Sequence, residues 1–181
     1  MKKIILTKTK YSQEVVSKMK EKFGLKNNFS VPRIEKLILN CGIGKIAKEA
    51  DKVEEVFRSM LEISGQRPVK AKTIKAIAGF KVRENTDVGV KVTLRGKKMW
   101  DFIDRLVNSA LPRTRDFQGI EEGSVDQSGN LNLGIKEHTI FPEIVQEKVK
   151  HTFSFQVNIV TSAKNKEEGK ELFKMLGFPI K

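Results

Sequence analysis

The 181-residue chain predicts an α+β fold, a mostly antiparallel sheet with helices packed on one face and a protruding basic loop. Three observations carry this expectation. Helical and strand periodicities interleave along the chain, several strands fall in hairpin order, and positive charge is confined to two segments. Arg67–Lys98 holds ten basic residues against two acidic ones, and Met1–Lys36 holds ten against three. The remaining stretches are balanced to within one charge each, although the whole chain carries +13. Solubility alone does not require such segregation, so a face shaped for a polyanion is expected where the two segments meet.

The elements follow in order. Tyr11–Phe23 is read as an amphipathic helix with Val15, Val16, Met19 and Phe23 inward, Ser12 as its cap and Gly24 at its end. Pro32 forces an extended entry into a strand over Ile34–Cys41, with Leu37, Leu39 and Cys41 on one face and Lys36, Ile38 and Asn40 on the other. Gly42-Ile43-Gly44-Lys45 closes that strand. Lys48–Ser64 is a second helix with Val53, Phe57, Met60 and Leu61 as its apolar stripe, Gly65 as C-cap and Pro68 preventing continuation.

Val69–Arg83 is short and mixed, a loop around Ala76-Ile77-Ala78-Gly79-Phe80. Val88–Arg95 alternates cleanly, with Val88, Val90, Val92 and Leu94 on one face and Gly89, Lys91, Thr93 and Arg95 on the other. A third helix is expected over Lys98–Ala110, stopped by Pro112. Gly123–Ile135 reads as a hairpin turning at Asp126–Asn130. Phe153–Thr161 is a strand, and Lys164–Leu176 is a last helix capped by Gly177. One domain over 1–181 is expected, with 1–10 as a tail. A chain of this length buries about 70% of its unfolded surface, enough for a core.

Most chemistries are disfavoured. Cys41 is the only cysteine, so no internal disulfide forms, and with His138 and His151 the only histidines a metal site lacks its usual ligands. Cys41 reads as a small buried apolar residue. Both histidines read as surface residues in polar segments. Gly42–Lys45 lacks the four-residue spacer and the Ser/Thr of a phosphate loop. Adjacent carboxylates such as Glu54-Glu55 and Glu167-Glu168 diverge and read as solvated helix faces. No cofactor, metal or catalytic site is expected. The start Met1-Lys-Lys-Ile-Ile-Leu imitates a signal peptide, but its apolar core is too short. No apolar run approaches the length of a membrane span. A cytoplasmic protein is expected, or an organellar one whose transit segment has been lost.

The basic segments carry the positive reading. Lys91, Thr93 and Arg95 repeat at about 6.7 Å along one strand face, a spacing that follows a phosphate backbone, and Thr93 adds a hydroxyl for sugar or phosphate. Lys72, Lys75 and Lys81 surround the slender tip near Gly79. Phe80 is the only aromatic residue of the loop, so phosphate and 2′-hydroxyl contacts on folded RNA fit better than extended base stacking.

Six segments, in order and at suitable separations, carry a resemblance: Val31–Gly44, Ile63–Pro68, Ala78–Arg83, Val92–Trp100, Pro112–Gly119 and Ile140–Ile144. Together they resemble the bacterial-type large-subunit ribosomal protein five family, which binds 5S rRNA, from about Tyr11 to the end. The resemblance implies a non-catalytic constituent of the central protuberance that helps attach 5S rRNA to the large-subunit rRNA. It points to Asn40, Gln66, Thr93 and Arg95 as 5S rRNA contacts, joined by Lys91 from the strand pattern. It likens the loop bearing Lys70, Lys72, Thr73, Lys75, Gly79 and Lys81 to the family's contact with P-site tRNA. It also implies a bridge to small-subunit ribosomal protein thirteen, with Pro112–Gly119 near that surface, and neighbouring large-subunit proteins as partners. Cys41 stands where Met or another apolar residue is expected, and Met1–Lys10 has no clear counterpart. The competing class is a free-standing RNA chaperone or regulatory RNA-binding protein.

Overall fold

Leu37, Leu39 and Cys41 alternate with Lys36, Ile38 and Asn40 along Ile34–Gly42 (β1), and that alternation places β1 at the centre of a five-stranded sheet. The computed structural model describes residues 7–47, 49–77, 79, 82–115, 117–145, 147 and 149–181. The other strands are Val69–Lys72 (β2), Asp87–Leu94 (β3), Leu131–Ile135 (β4) and Phe155–Thr161 (β5). The order is β2-β3-β1-β5-β4, and every neighbouring pair is antiparallel. In register, Leu37 faces Leu94 and Ile159, and Leu39 faces Val92 and Val157, so one face of the sheet is a continuous apolar surface.

Four helices cover that face. Thr7–Lys10, a π turn at Tyr11–Val15 and Val16–Phe23 run together as α1, which buries Val15 and Met19. The helix starts one turn earlier than its periodicity predicts. Thr7 donates from its backbone N–H to Asp104 at 2.8 Å, and its hydroxyl bonds the same carboxylate, a partner 97 residues away. Ser12 is therefore internal to the helix, and its hydroxyl donates to Thr9 O at 3.0 Å instead of capping.

Ala50–Ser64 (α2) buries Val53, Val56, Met60 and Ile63. The expected stripe is corrected here, because Leu61 is 39% exposed and Val56 and Ile63 take its place, while Lys48 lies outside the described residues. Gly65 ends α2 in the left-handed region at φ +62°, as its C-cap assignment requires. Gly96–Arg105, a π turn at Leu106–Ala110 and Leu111–Arg113 form α3. It passes through Pro112, which was expected to stop it. The π turn bonds Leu111 N–H back to Leu106 O, and Pro112 stands at the start of the short turn Leu111–Arg113 that follows this break in register, after which the helix ends. Lys166–Leu176 (α4) buries Leu172, Phe173 and Leu176 and ends at Gly177.

The expected hairpin over Gly123–Ile135 is mostly absent. Its turn at Asp126–Asn130 is real, with Asp126 N–H donating to Asn130 O at 2.9 Å, but only Val125 and Leu131 pair across it. β4 pairs with β5 instead, because Leu131 and Leu133 find Ile159 and Val157 there. His138 is corrected too: it is fully buried, stacked on Phe153 at 4.0 Å, while His151 is exposed. Cys41 is buried as expected, and burial pushes its thiol up to about 11. Among the described residues no helix is long and apolar enough to cross a membrane.

Candidate nucleic-acid interface

The face of the sheet opposite the helices is open, and the register lays out what stands on it. One row crosses all five strands as Val69, Lys91, Asn40, Gln156 and Gly134. The next row, roughly 6.7 Å along the strands, holds Thr93, Ile38, Asn158 and Asn132. Asn40, Lys91, Thr93, Gln156 and Gly134 are all exposed. Lys36 lies a further step along β1 on the same side, opposite Val160. On the other side of the first row come Ala71, Gly89 and Gly42, which leave the surface smooth. The backbone is bare at Gly134, where a Cβ would have no neighbour within 4 Å.

Gln66 reaches this face from the end of α2. The Ser64 hydroxyl donates to Met60 O at 2.6 Å and accepts from Gln66 N–H at 3.2 Å. Lys98 Nζ donates to Gly65 O at 2.9 Å, and Arg105 Nη2 donates to Ile63 O at 3.1 Å. So held, Gln66 donates from Nε2 to Thr93 O at 3.1 Å. Asn40, Lys91, Thr93 and Gln66 thus form one contiguous group, and Arg95 follows at the end of β3.

Arg95 is the residue before the first turn of α3. That turn contains Lys97 and Lys98 and no acidic residue. Three cations sit at the positive end of a helix dipole, an arrangement that costs stability unless an anion compensates it.

The loop candidates lie apart from this group. β2 is an edge strand, so Lys70 and Lys72 extend the sheet rather than a free loop. Lys70 stands opposite Val90, on the helix-covered side, and pairs with Asp87 at 3.7 Å. Thr73 closes the neck of the loop: its hydroxyl donates to Arg83 O at 2.6 Å and accepts from Thr86 N–H at 3.1 Å. Ile77 and Val82 then exchange backbone hydrogen bonds at 3.1 and 3.3 Å. Lys75 is exposed, and a Cβ on Gly79 would meet nothing within 4 Å. Lys81 lies outside the described residues.

The two cationic segments do not converge as a whole. Among the described residues of the first block only Lys36 reaches the open face in register, whereas α1 belongs to the helix layer, with Tyr11 against Trp100 at 5.9 Å and Lys22 paired to Glu171 at 2.8 Å. Conversely, Asn132, Gln156 and Asn158 were not singled out from the sequence. The Asn158 amide donates to Asn132, linking two strands on the open face. The alternation Phe155-Gln-Val-Asn-Ile159 is the signal that finds them. Among the described residues no cluster of His, Cys, Asp and Glu is suited to a metal ion.

Residues 27–83 match the family described as "Ribosomal protein L5", and residues 87–180 match the C-terminal part of the same ribosomal family. The "Large ribosomal subunit protein uL5" of Microcystis aeruginosa is 47% identical over 174 residues, 96% of this chain and 97% of that one. Its counterpart in Dictyoglomus thermophilum is 46% identical with the same coverage, and that of Rubrobacter xylanophilus 44%. The two matched segments meet in a single sheet, with β1 from the first inserted between β3 and β5 from the second, and the chain belongs to the ribosomal protein L5 family.

Proposed function

We propose that the open sheet face holds 5S rRNA, with Asn40, Gln66, Lys91, Thr93 and Arg95 as its contacts. As a member of its family the chain is a structural RNA-binding constituent of the large ribosomal subunit, and it is not an enzyme. Its place of work is the cytoplasmic ribosome. What carries the assignment is the Gln66–Thr93 hydrogen bond, which joins a helix end to the strand face beside a first turn of α3 that holds cations and no acidic residue. Asn40 and Thr93 supply directional hydrogen bonds, and Arg95 supplies a charge-assisted fork for phosphate. The whole chain acts as one RNA-binding unit.

The test is a gel-shift titration at fixed salt. Thr93→Ala combined with Arg95→Ala is expected to weaken 5S rRNA binding by about 2–4 kcal/mol with the fold intact. Unchanged affinity refutes the assignment.

The loop of Lys70, Lys72, Thr73, Lys75, Gly79 and Lys81 is the proposed contact with P-site tRNA, supported by the exposure of Lys75 and Ile74 beyond the Thr73 neck. Lys72→Gln with Lys75→Gln is expected to spare 5S rRNA affinity and to destabilise tRNA in the P site. Loss of 5S rRNA binding in that variant defeats the division between sheet and loop. Arg113, Thr114, Arg115 and Phe117 line a groove of about 980 Å³ against β4, and that groove supports Pro112–Gly119 as the proposed surface toward small-subunit protein thirteen in an intersubunit bridge. A crosslinking map of the native particle lacking that contact overturns it.

A further inference from the structure

The open face leaves most of the N-terminal cationic block without a task, and the end of α1 offers one. After Gly24 a short connection, 25–33, leads into β1, and its backbone is held in place. Leu25 N–H donates to Lys20 O at 3.1 Å, Ser30 N–H to Asn27 O at 3.1 Å, and Val31 N–H to Asn28 O at 3.2 Å. The Tyr11 hydroxyl donates to Pro32 O at 3.1 Å, and Lys20 Nζ donates to Asn28 Oδ1 at 2.9 Å. On this tethered turn the Phe29 ring is 97% exposed.

Its sequence neighbours Asn27, Asn28 and Ser30 are polar, so Phe29 is not part of an apolar patch of the kind a protein partner covers. Lys26 and Arg33 flank it, and neither is ion-paired with any of the described residues. A lone exposed aromatic face on a tethered turn, with an exposed cation three residues before it and another four residues after it, matches one partner chemistry, a base with its flanking phosphates.

We propose that Phe29, Lys26 and Arg33 form a second RNA site, carried by the end of the α1 layer and distinct from the open sheet face. It takes an unstacked base from a loop or bulge of folded RNA. The inference rests on the reading that the chain attaches 5S rRNA to the large-subunit rRNA, a task that needs two RNA surfaces. The second surface is assigned to the large-subunit rRNA.

The test uses the full chain in two filter-binding arms, with 5S rRNA alone and with protein-free large-subunit rRNA added to the preformed chain–5S complex. Phe29→Ala, Phe29→Leu, Phe29→Trp and Lys26→Gln are exposed substitutions, and matching melting curves confirm their folding. All four are expected to bind 5S rRNA within about twofold of the parent. In the second arm Phe29→Ala and Phe29→Leu weaken binding roughly tenfold and Phe29→Trp does not, as stacking requires. Lys26→Gln lowers the magnitude of the salt slope by about 0.7–0.9.

Unchanged binding of Phe29→Ala in the second arm overturns the proposal, as does a leucine that serves as well as the phenylalanine. Equal loss in the 5S arm overturns the separateness of the two sites. The Thr93→Ala and Arg95→Ala variant, read in the 5S arm, reports on the sheet face independently.

Discussion

Arg105 holds the turn that presents Gln66, and its removal tests how the proposed RNA-binding group is built. Its guanidinium pairs with Glu143, donates to Ile63 O at 3.1 Å and lies 5.8 Å from the centre of the Phe102 ring. Arg105→Met leaves Glu143 without this partner, on a carboxylate whose Oε2 has none among the described residues, and frees a carbonyl at the end of α2. A buried pair broken on one side costs several kcal/mol, but these side chains are 32% and 24% exposed, so solvent reduces the loss to about 2 kcal/mol. For a domain of this size that lowers the melting temperature by about 4–8 °C. Glu143→Met added to Arg105→Met removes the stranded charge and recovers part of the loss. In RNA binding, Arg105→Met weakens 5S rRNA affinity only through Gln66, so it adds nothing in a Gln66→Ala background. Thermal and urea melts read the first effect, and a gel-shift double-mutant cycle reads the second. A stability change below about 0.5 kcal/mol, or additive affinity losses, refutes the reasoning.

Two glycines separate stability from binding. Gly129 has φ +75°, and a Cβ there would lie 2.6 Å from Ala163 Cβ and 3.0 Å from Asn165 O, so Gly129→Ala is expected to cost about 3 kcal/mol in a urea melt. Gly134→Val, with open space around it, should leave the melt nearly unchanged and weaken 5S rRNA binding; the reverse pattern defeats the open-face reading. Burial holds the His138 imidazole below its usual range, against the opposing pull of Glu55 and Glu137. The unfolded chain therefore takes up a proton near pH 6.5 that the folded chain refuses, and stability falls as pH drops through that value, flattening once the buried ring is protonated too. His138→Gln should lose this component, and identical pH profiles for the two proteins between pH 7 and 5 sink the account. Lys36, Lys91 and Arg95 on the open face and Lys97 in the first turn of α3 are the cations placed for phosphate, so the log–log salt slope of 5S rRNA binding should be about 3–4 in magnitude at 0.7–0.9 per phosphate. A slope near the full charge of the chain shows that other surfaces take part.

What was legible in the chain is what one buried face imposes on a strand. β1, β3 and β5 sit inside the sheet, and their alternation survives in the sequence as Leu37-Leu39-Cys41, Val90-Val92-Leu94 and Phe155-Val157-Ile159. β2 buries none of its four residues, so no alternation marks it and it reads as loop. The early start of α1 depends on Asp104, the burial of His138 on Phe153, and the passage of α3 through Pro112 on a π turn. Each is a tertiary or backbone decision with no local signature.

The candidate site divides along the same line. Lys91 and Arg95 announce themselves by charge on a clean strand, with Thr93 between them, but Gln156, Asn158 and Asn132 are neutral, and a reading weighted by charge passes over them. Their presence changes the physical description of the face. Cations alone describe an indifferent polyanion surface, which any phosphate chain satisfies. Amides on adjacent strands, with Asn40 level with Gln156 and Ile38 level with Asn158, add fixed donors and acceptors between the charges. Phosphates supply no reason for that neutral lattice. Sugar hydroxyls and base edges, displayed across the shallow minor groove of an RNA helix, do.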